Sequence, residues 1–324
     1  MHIKRLLSAR IRAILCLVLI QGKGEVSRMV KKKRVLFGGL TALLGLTLAA
    51  CGSGETVDSS AIDTAVLTDS ETAWDKIEEA GVLKVATSGT LYPNSYHDKE
   101  TDELTGYEVE IIREVAERIG VEVAFTEMGV DGMLTSVNSG AVDVAAFGID
   151  RNGENADKYN YTTPYKYSFG AMVVRESDNS GIETLEDLKG KIAAGAATTT
   201  YMKVARYFGA EEKIYDNATN DMYLSDVANG RTDVILNDYY AQKLATAALP
   251  DIPVKVHDIF YNPSETNFSI KKGNDELTEK FNEALDEMRA DGTLAELSKQ
   301  FYDGADVTVQ IEYDFPVIDV SDVD

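Results

Sequence analysis

Two cysteines in 324 residues, Cys16 and Cys51, leave no material for a disulfide framework or a cysteine-built metal site. Stability must therefore come from burial, and the 274 residues from Cys51 onward exceed one typical core and are enough for two lobes. Histidine is scarce as well: only His97, in a polar loop, and His257, in a strand, lie beyond residue 50, and neither has a second candidate near it in sequence. With no Ser–His–Asp pattern and no carboxylate pair set in opposed environments, no acid–base machinery is marked, and the chain is not expected to be an enzyme. A Gly-x-x-x-x-Gly-Lys loop is also missing, so any ATP-driven step belongs to a separate protein. No cofactor is expected.

Basic charge is the next shortage. Residues 1–50 carry 10 of the 32 Lys and Arg and one of the 54 Asp and Glu, which leaves 22 against 53 from Cys51 onward, a formal charge of −31. Nucleic-acid binding needs basic stripes that release counterions, and this acidic surface excludes it. Most of the acid reads as a solvated face that keeps an exposed protein soluble.

Long apolar runs are lacking too. Residues 35–50 form a run of 16 interrupted by Gly38, Gly39 and Gly45, whereas a membrane span takes about 20 mostly apolar residues. What is present is an export address: Lys31-Lys32-Lys33-Arg34, that short run, and Leu48-Ala49-Ala50-Cys51-Gly52. The last five residues resemble the lipobox of bacterial lipoproteins, which implies that Cys51 receives a diacylglycerol and opens the mature chain. The protein is then expected on the extracytoplasmic face of the cell membrane, anchored by lipid. Residues 1–50 form the signal region, with Met29 the better start and residues 1–28 an upstream extension. Residues 51–72, rich in Gly, Ser, Thr, Asp and Glu, read as a flexible linker.

Strands and helices then alternate. Residues 74–79 form a short amphipathic helix stopped by Gly81, and 82–86 a strand. In residues 107–119, Val109, Ile112, Val115, Ala116 and Ile119 fall at helical spacing before Gly120. Residues 121–125 are expected as a strand, 131–138 as a helix with Asp131 at its N-cap, and 142–147 as a strand buried on both faces. The βαβ rhythm repeats with a strand at 191–194, helices at 198–208 and 222–228, and a strand at 232–236. Two long helices, 275–291 and 293–301, close the globule, and the acidic tail contains one strand-like stretch at 307–311.

Six phrases in order resemble the polar amino-acid solute-binding proteins of ABC importers, the bacterial extracellular solute-binding proteins of family 3. They are Leu83-Lys84-Val85-Ala86-Thr87, Leu104-Thr105-Gly106-Tyr107-Glu108-Val109-Glu110, Ser139-Gly140-Ala141-Val142-Asp143, Tyr161-Thr162-Thr163-Pro164-Tyr165, Leu185-Glu186-Asp187-Leu188-Lys189-Gly190-Lys191 and Asn229-Gly230-Arg231-Thr232-Asp233. The resemblance implies an α/β periplasmic-binding-protein-like fold: two lobes, two mixed sheets flanked by helices, and two hinge strands. By that analogy lobe 1 takes residues 73–168 plus 266–303, lobe 2 takes 169–265, and 304–324 is the tail. It further implies capture of a small polar solute by a monomer that delivers it to an ABC permease. Asn237-Asp238 and the C-terminal half lie nearest the cystine-binding branch. A dehydratase-like enzyme of the same fold and a binder of a non-amino-acid solute are the rival readings.

An amino-acid ligand needs a cation clamp and an anion clamp, because burying either charge unpaired is expensive. The resemblance gives the ammonium to Asp238, for which an N-cap on the following helix is the competing role. It places the carboxylate at Ala197-Thr198-Thr199, where free N–H groups at a helix start suit an anion and Thr198 is alternatively a plain cap. The family's arginine position falls on Asn155, and Arg151 either compensates or is a surface residue. Asp150 stands where the family has a ligand-contacting threonine, which favours a ligand with more than one ammonium or several hydroxyls. Tyr92, Tyr96, Phe147 and Gly148 are expected at the pocket wall, with ordinary packing as the alternative; Val130-Asp131-Gly132 replaces a frequent Trp-Asp-Gly.

Overall fold

The computed structural model describes residues 72–148 and 157–323. The signal region, Cys51, Asp150, Arg151 and Asn155 lie outside the described residues.

The first half begins with α1 (Ala73–Ala80), β1 (Val82–Thr87), the short strands β2 (Thr90–Leu91), β3 (Ser95–His97) and β4 (Leu104–Thr105), and α2 (Tyr107–Ile119). It continues through β5 (Glu122–Glu127), α3 (Val130–Ser139), β6 (Val144–Ala145) and β7 (Tyr159–Tyr161). The chain then runs through β8 (Lys166–Arg175), β9 (Ile192–Gly195), α4 (Thr200–Tyr207), β10 (Glu211–Ile214), α5 (Asn220–Ala228), β11 (Val234–Asp238), α6 (Tyr239–Ala248) and β12 (Val254–Thr266). It returns in β13 (Ser269–Lys271), α7 (Asp275–Asp291) and α8 (Thr293–Phe301).

Two five-stranded mixed sheets result, ordered β5-β1-β6-β13-β7 and β10-β9-β11-β8-β12, with β2, β3 and β4 forming a small third sheet. In the first, β1 is parallel to β5 and β6 while β13 is antiparallel to β6 and β7. In the second, β9 is parallel to β10 and β11, and β8 runs antiparallel between β11 and β12. The β8–β12 ribbon starts at the Lys166–Thr266 pair, next to the first sheet, and runs into the second. The fold is thus the two-lobed periplasmic-binding-protein-like architecture.

Each lobe is built by its apolar periodicity. The stripe on α2 buries Val109, Ile112, Val115 and Ala116, and α7 buries Leu277, Phe281, Leu285 and Met288 in the same cluster as Leu83 and Val85. Each of these side chains larger than alanine contributes roughly 1.5–3 kcal/mol by leaving water. The second lobe centres on Met172, Val174, Leu188, Val204, Val234 and Leu236. Among the described residues no helix is long and apolar enough to cross a membrane.

Several local expectations are corrected. Asp131 is not the N-cap of α3: Gly129 holds that position, and Asp131 lies in the first turn with its carboxylate turned elsewhere. The expected strand 142–147 pairs only at Val144 and Ala145. Thr199, not Thr198, caps α4, accepting from the Met202 N–H. His97 lies in β3 rather than in a loop, while His257 is in β12 as expected. Residues 307–311 form no strand; Val307 meets β8 through a single hydrogen bond, from the Tyr167 N–H to its carbonyl at 2.8 Å.

Candidate functional site

The C-terminal ends of β9 and β11 open on a cavity of about 420 Å³ that is also walled by residues of the first lobe. Crevices beyond the carboxyl ends of strands are the ordinary ligand positions of open α/β sheets. Of the residues expected there, Tyr92, Phe147, Gly148, Thr198, Thr199 and Asp238 line it. Tyr96 stands behind the wall, its ring 5.0 Å from that of Tyr92 in an edge contact. Two glycines bring backbone to the cavity: a Cβ on Gly148 would lie 2.5 Å from Thr266 Cγ2, and one on Gly195 2.6 Å from Met202 Sδ.

At the start of α4 the backbone forms a nest, as the sequence suggested, and a carboxylate is already in it. The Ala197 N–H donates to Asp131 Oδ2 at 3.1 Å and the Thr198 N–H to Asp131 Oδ1 at 3.0 Å, while the Thr198 hydroxyl donates to Oδ1 at 2.7 Å. Asp131 comes from α3 in the opposite lobe, so this contact bridges the cleft. The rim is bridged again where the Thr90 hydroxyl donates to Asn217 Oδ1 at 3.1 Å and the Asn220 amide to the Tyr92 carbonyl at 3.0 Å. A Cβ on Gly129 would meet the Asp216 carboxylate, which would have to shift.

Asp238 ends β11 and caps α6, which is the competing role considered for it. Its Oδ1 accepts from the Ala241 N–H at 2.9 Å, and its Oδ2 accepts from the Lys166 ammonium at 3.0 Å. The pair is buried, with side-chain exposures of 3% for Lys166 and 7% for Asp238. Lys166 also lies 5.8 Å from the centre of the Tyr302 ring, a cation–π contact.

Behind Lys166 is a second buried acid. Glu108 Oε1 accepts from the Tyr165 hydroxyl at 2.6 Å and from the Gly148 N–H at 3.2 Å, and Oε2 is buried with no hydrogen-bond partner among the described residues. Burial pushes the Glu108 carboxyl above its ordinary range, while the Lys166 charge pulls it down. Burial also raises the Tyr165 and Tyr302 hydroxyls far above theirs, so both remain protonated.

Sequence reasoning missed Lys166 and Glu108 as parts of this site. A usable signal existed for the first: Lys166 opens a ten-residue strand in which seven of the next eight positions are buried or apolar, and a cation at such a place demands a partner. Glu108 was read only within the Gly106-Tyr107-Glu108 phrase. Among the described residues, no group of His, Cys, Asp and Glu is placed to hold a metal ion.

Residues 83–304 match the bacterial extracellular solute-binding proteins, family 3. The chain belongs to that family. It is 55% identical over 291 residues to the probable ABC transporter extracellular-binding protein YckB of Bacillus subtilis, covering 89% of this chain and 98% of that one. Over 261 residues it is 38% identical to the L-cystine-binding protein TcyA of the same organism, covering 81% and 94%. The YckB crystal structure superimposes with a TM-score of 0.61 at 58% identity, over 76% of this chain and all of that one. An ancestral arginine-binding protein bound to glutamine gives 0.64 at 28% identity, over 68% of this chain and 98% of its own. The chain is thus an extracytoplasmic-type solute-binding protein of the ABC transporter class, a transport component rather than an enzyme.

Proposed function

We propose that the cleft captures an α-amino acid or a close derivative, with cystine the first candidate, and that the loaded protein delivers it to an ABC permease. The observation that carries this reading is the pair of internal stand-ins. A carboxylate, from Asp131, occupies the Ala197–Thr198 nest, and an ammonium, from Lys166, occupies Asp238. These are the two charged groups of a zwitterion, each held by the group expected to hold the ligand's own. The similarity to TcyA, named as an L-cystine-binding protein, supports cystine within that class. Tyr92 and Phe147 would supply apolar wall to the ligand's side chain, with Gly148 allowing close approach.

A thermal-shift panel of amino acids, cystine, dipeptides, polyamines and sugars tests the reading. A ligand that binds only the native protein stabilises it by about 2.7 kcal/mol at a hundredfold excess over Kd. Stabilisation by an α-amino acid is expected. Stabilisation by another solute alone would mean that Asn155, Asp150 and Arg151 mark a change of substrate class.

The lipid anchor on Cys51, and with it the position on the extracytoplasmic membrane face, is proposed from the basic patch, short apolar run and Leu-Ala-Ala-Cys sequence. Mass spectrometry of the mature N-terminal peptide is expected to show acylated Cys51. An unmodified Cys51, or a peptide extending upstream of it, would refute the anchor.

A further inference from the structure

We propose that Lys166 is a specificity-determining residue, a movable counter-ion that holds Asp238 until a ligand ammonium takes its place and then turns to the unpartnered oxygen of Glu108. The inference rests on the proposed amino-acid site and goes further, by saying which side chain relaxes the site's demand for an ammonium.

Charge balance is the first argument. Glu108, Lys166 and Asp238 are all buried, Lys166 is paired with Asp238, and the Tyr302 ring lies against its ammonium. Lys166 satisfies Asp238 Oδ2, while Glu108 Oε2 has no partner among the described residues. An unpaired buried charge is expensive. A ligand ammonium on Asp238 frees the Lys166 ammonium to donate to Glu108 Oε2. Burial raises the proton affinity of Glu108 and the Lys166 charge opposes this.

Reach and geometry agree. A lysine ammonium is a point charge with three donors on a flexible four-carbon stem, able to exchange partners without moving its backbone. Lys166 is the first residue of β8, and its charge acts on the Glu108 carboxyl. Asp238 is fixed independently by its cap bond to Ala241, so it stays in place when Lys166 leaves.

The consequence is a tolerance. A ligand without an ammonium leaves Lys166 on Asp238 and still binds, so the wild-type protein discriminates only weakly between an amino acid and its desamino analogue. Removing Lys166 leaves Asp238 buried and unpaired unless the ligand supplies the cation. Calorimetry with L-cystine and dithiodipropionate, or L-glutamine and glutaramate if cystine is not bound, reads the ratio of the two dissociation constants. In Lys166→Met the ratio is expected to rise at least about tenfold over wild type, the scale of one charge-assisted hydrogen bond. Lys166→Gln, which keeps a donor but no charge, is expected to move the same way and serves if the Met variant does not fold. Lys166→Arg is expected to keep the wild-type ratio. An unchanged ratio in both uncharged variants, or the same rise in Lys166→Arg, overturns the inference while leaving the amino-acid site intact. Failure of the wild-type protein to bind any amino acid would instead remove the site itself.

Discussion

Asp131 shows how one residue can be correctly marked and wrongly explained. Its place at the start of a helix suggested an N-cap, but Gly129 takes that position and the carboxylate satisfies the Ala197 and Thr198 groups of the other lobe. No local pattern reveals a partner 66 residues away. The same holds for Lys166 and Asp238, which are 72 residues apart. The nest and Asp238 themselves were legible, because a helix start and a strand end are written in short phrases. Since Asp131 occupies the groups proposed for the ligand's carboxylate, it competes with the ligand. Asp131→Asn weakens that competitor, and calorimetry is expected to show tighter binding of a carboxylate-bearing ligand by about threefold to thirtyfold, on the order of one charge-assisted bond partly lost. Unchanged or weaker binding would show that the ligand leaves the nest to Asp131.

Elements bounded by their own chemistry were read well. The helices α2, α7 and α8 fall on the expected residues because an apolar stripe sets each body, and Gly120 and Gly292 stop α2 and α7 in the left-handed conformation that favours glycine. Elements defined by pairing were read less well. The apolar run 142–147 contributes only two paired residues because β13 meets it only at Val144 and Ala145. The tail was unreadable for a related reason: it has no regular structure, yet it is tied down at several points. Val307 is buried in the first lobe's cluster and its N–H donates to Ser298 Oγ at 2.8 Å. Farther on, the Asn262 N–H donates to the Pro316 carbonyl at 2.9 Å, Val320 packs in the second lobe's cluster, and the Lys203 ammonium donates to the Val323 carbonyl at 2.8 Å. The tail therefore follows the β8–β12 ribbon from one lobe to the other. A variant ending at Gly304 exposes the sites of Val307 and Val320, each worth roughly 1.5–3 kcal/mol of burial. Thermal denaturation is expected to show a melting temperature lower by several degrees. An unchanged melting temperature would mean that the tail lies on the surface without contributing to stability.

At the scale of the whole molecule, two sheets face one cavity across the Asp131 and Asn220 contacts. Hinge rotation of nearly rigid lobes about a few connecting residues is one of the ways two-domain proteins close on ligands. The fold class and the two-sheet plan were legible from six ordered phrases. The internal charge contacts in the cleft were not, because their partners lie 66 and 72 residues apart in sequence. In the proposed site Asp238 and the α4 nest receive the two charges of an α-amino acid. The most direct measurement is calorimetric titration of wild type and Asp238→Asn with the amino acid that stabilises the protein in the panel. The account predicts binding to the wild type and a loss of at least about tenfold in the variant, the scale of one hydrogen bond to a charged group. Equal affinity in the two proteins would contradict it, since the ammonium would then be held somewhere other than Asp238.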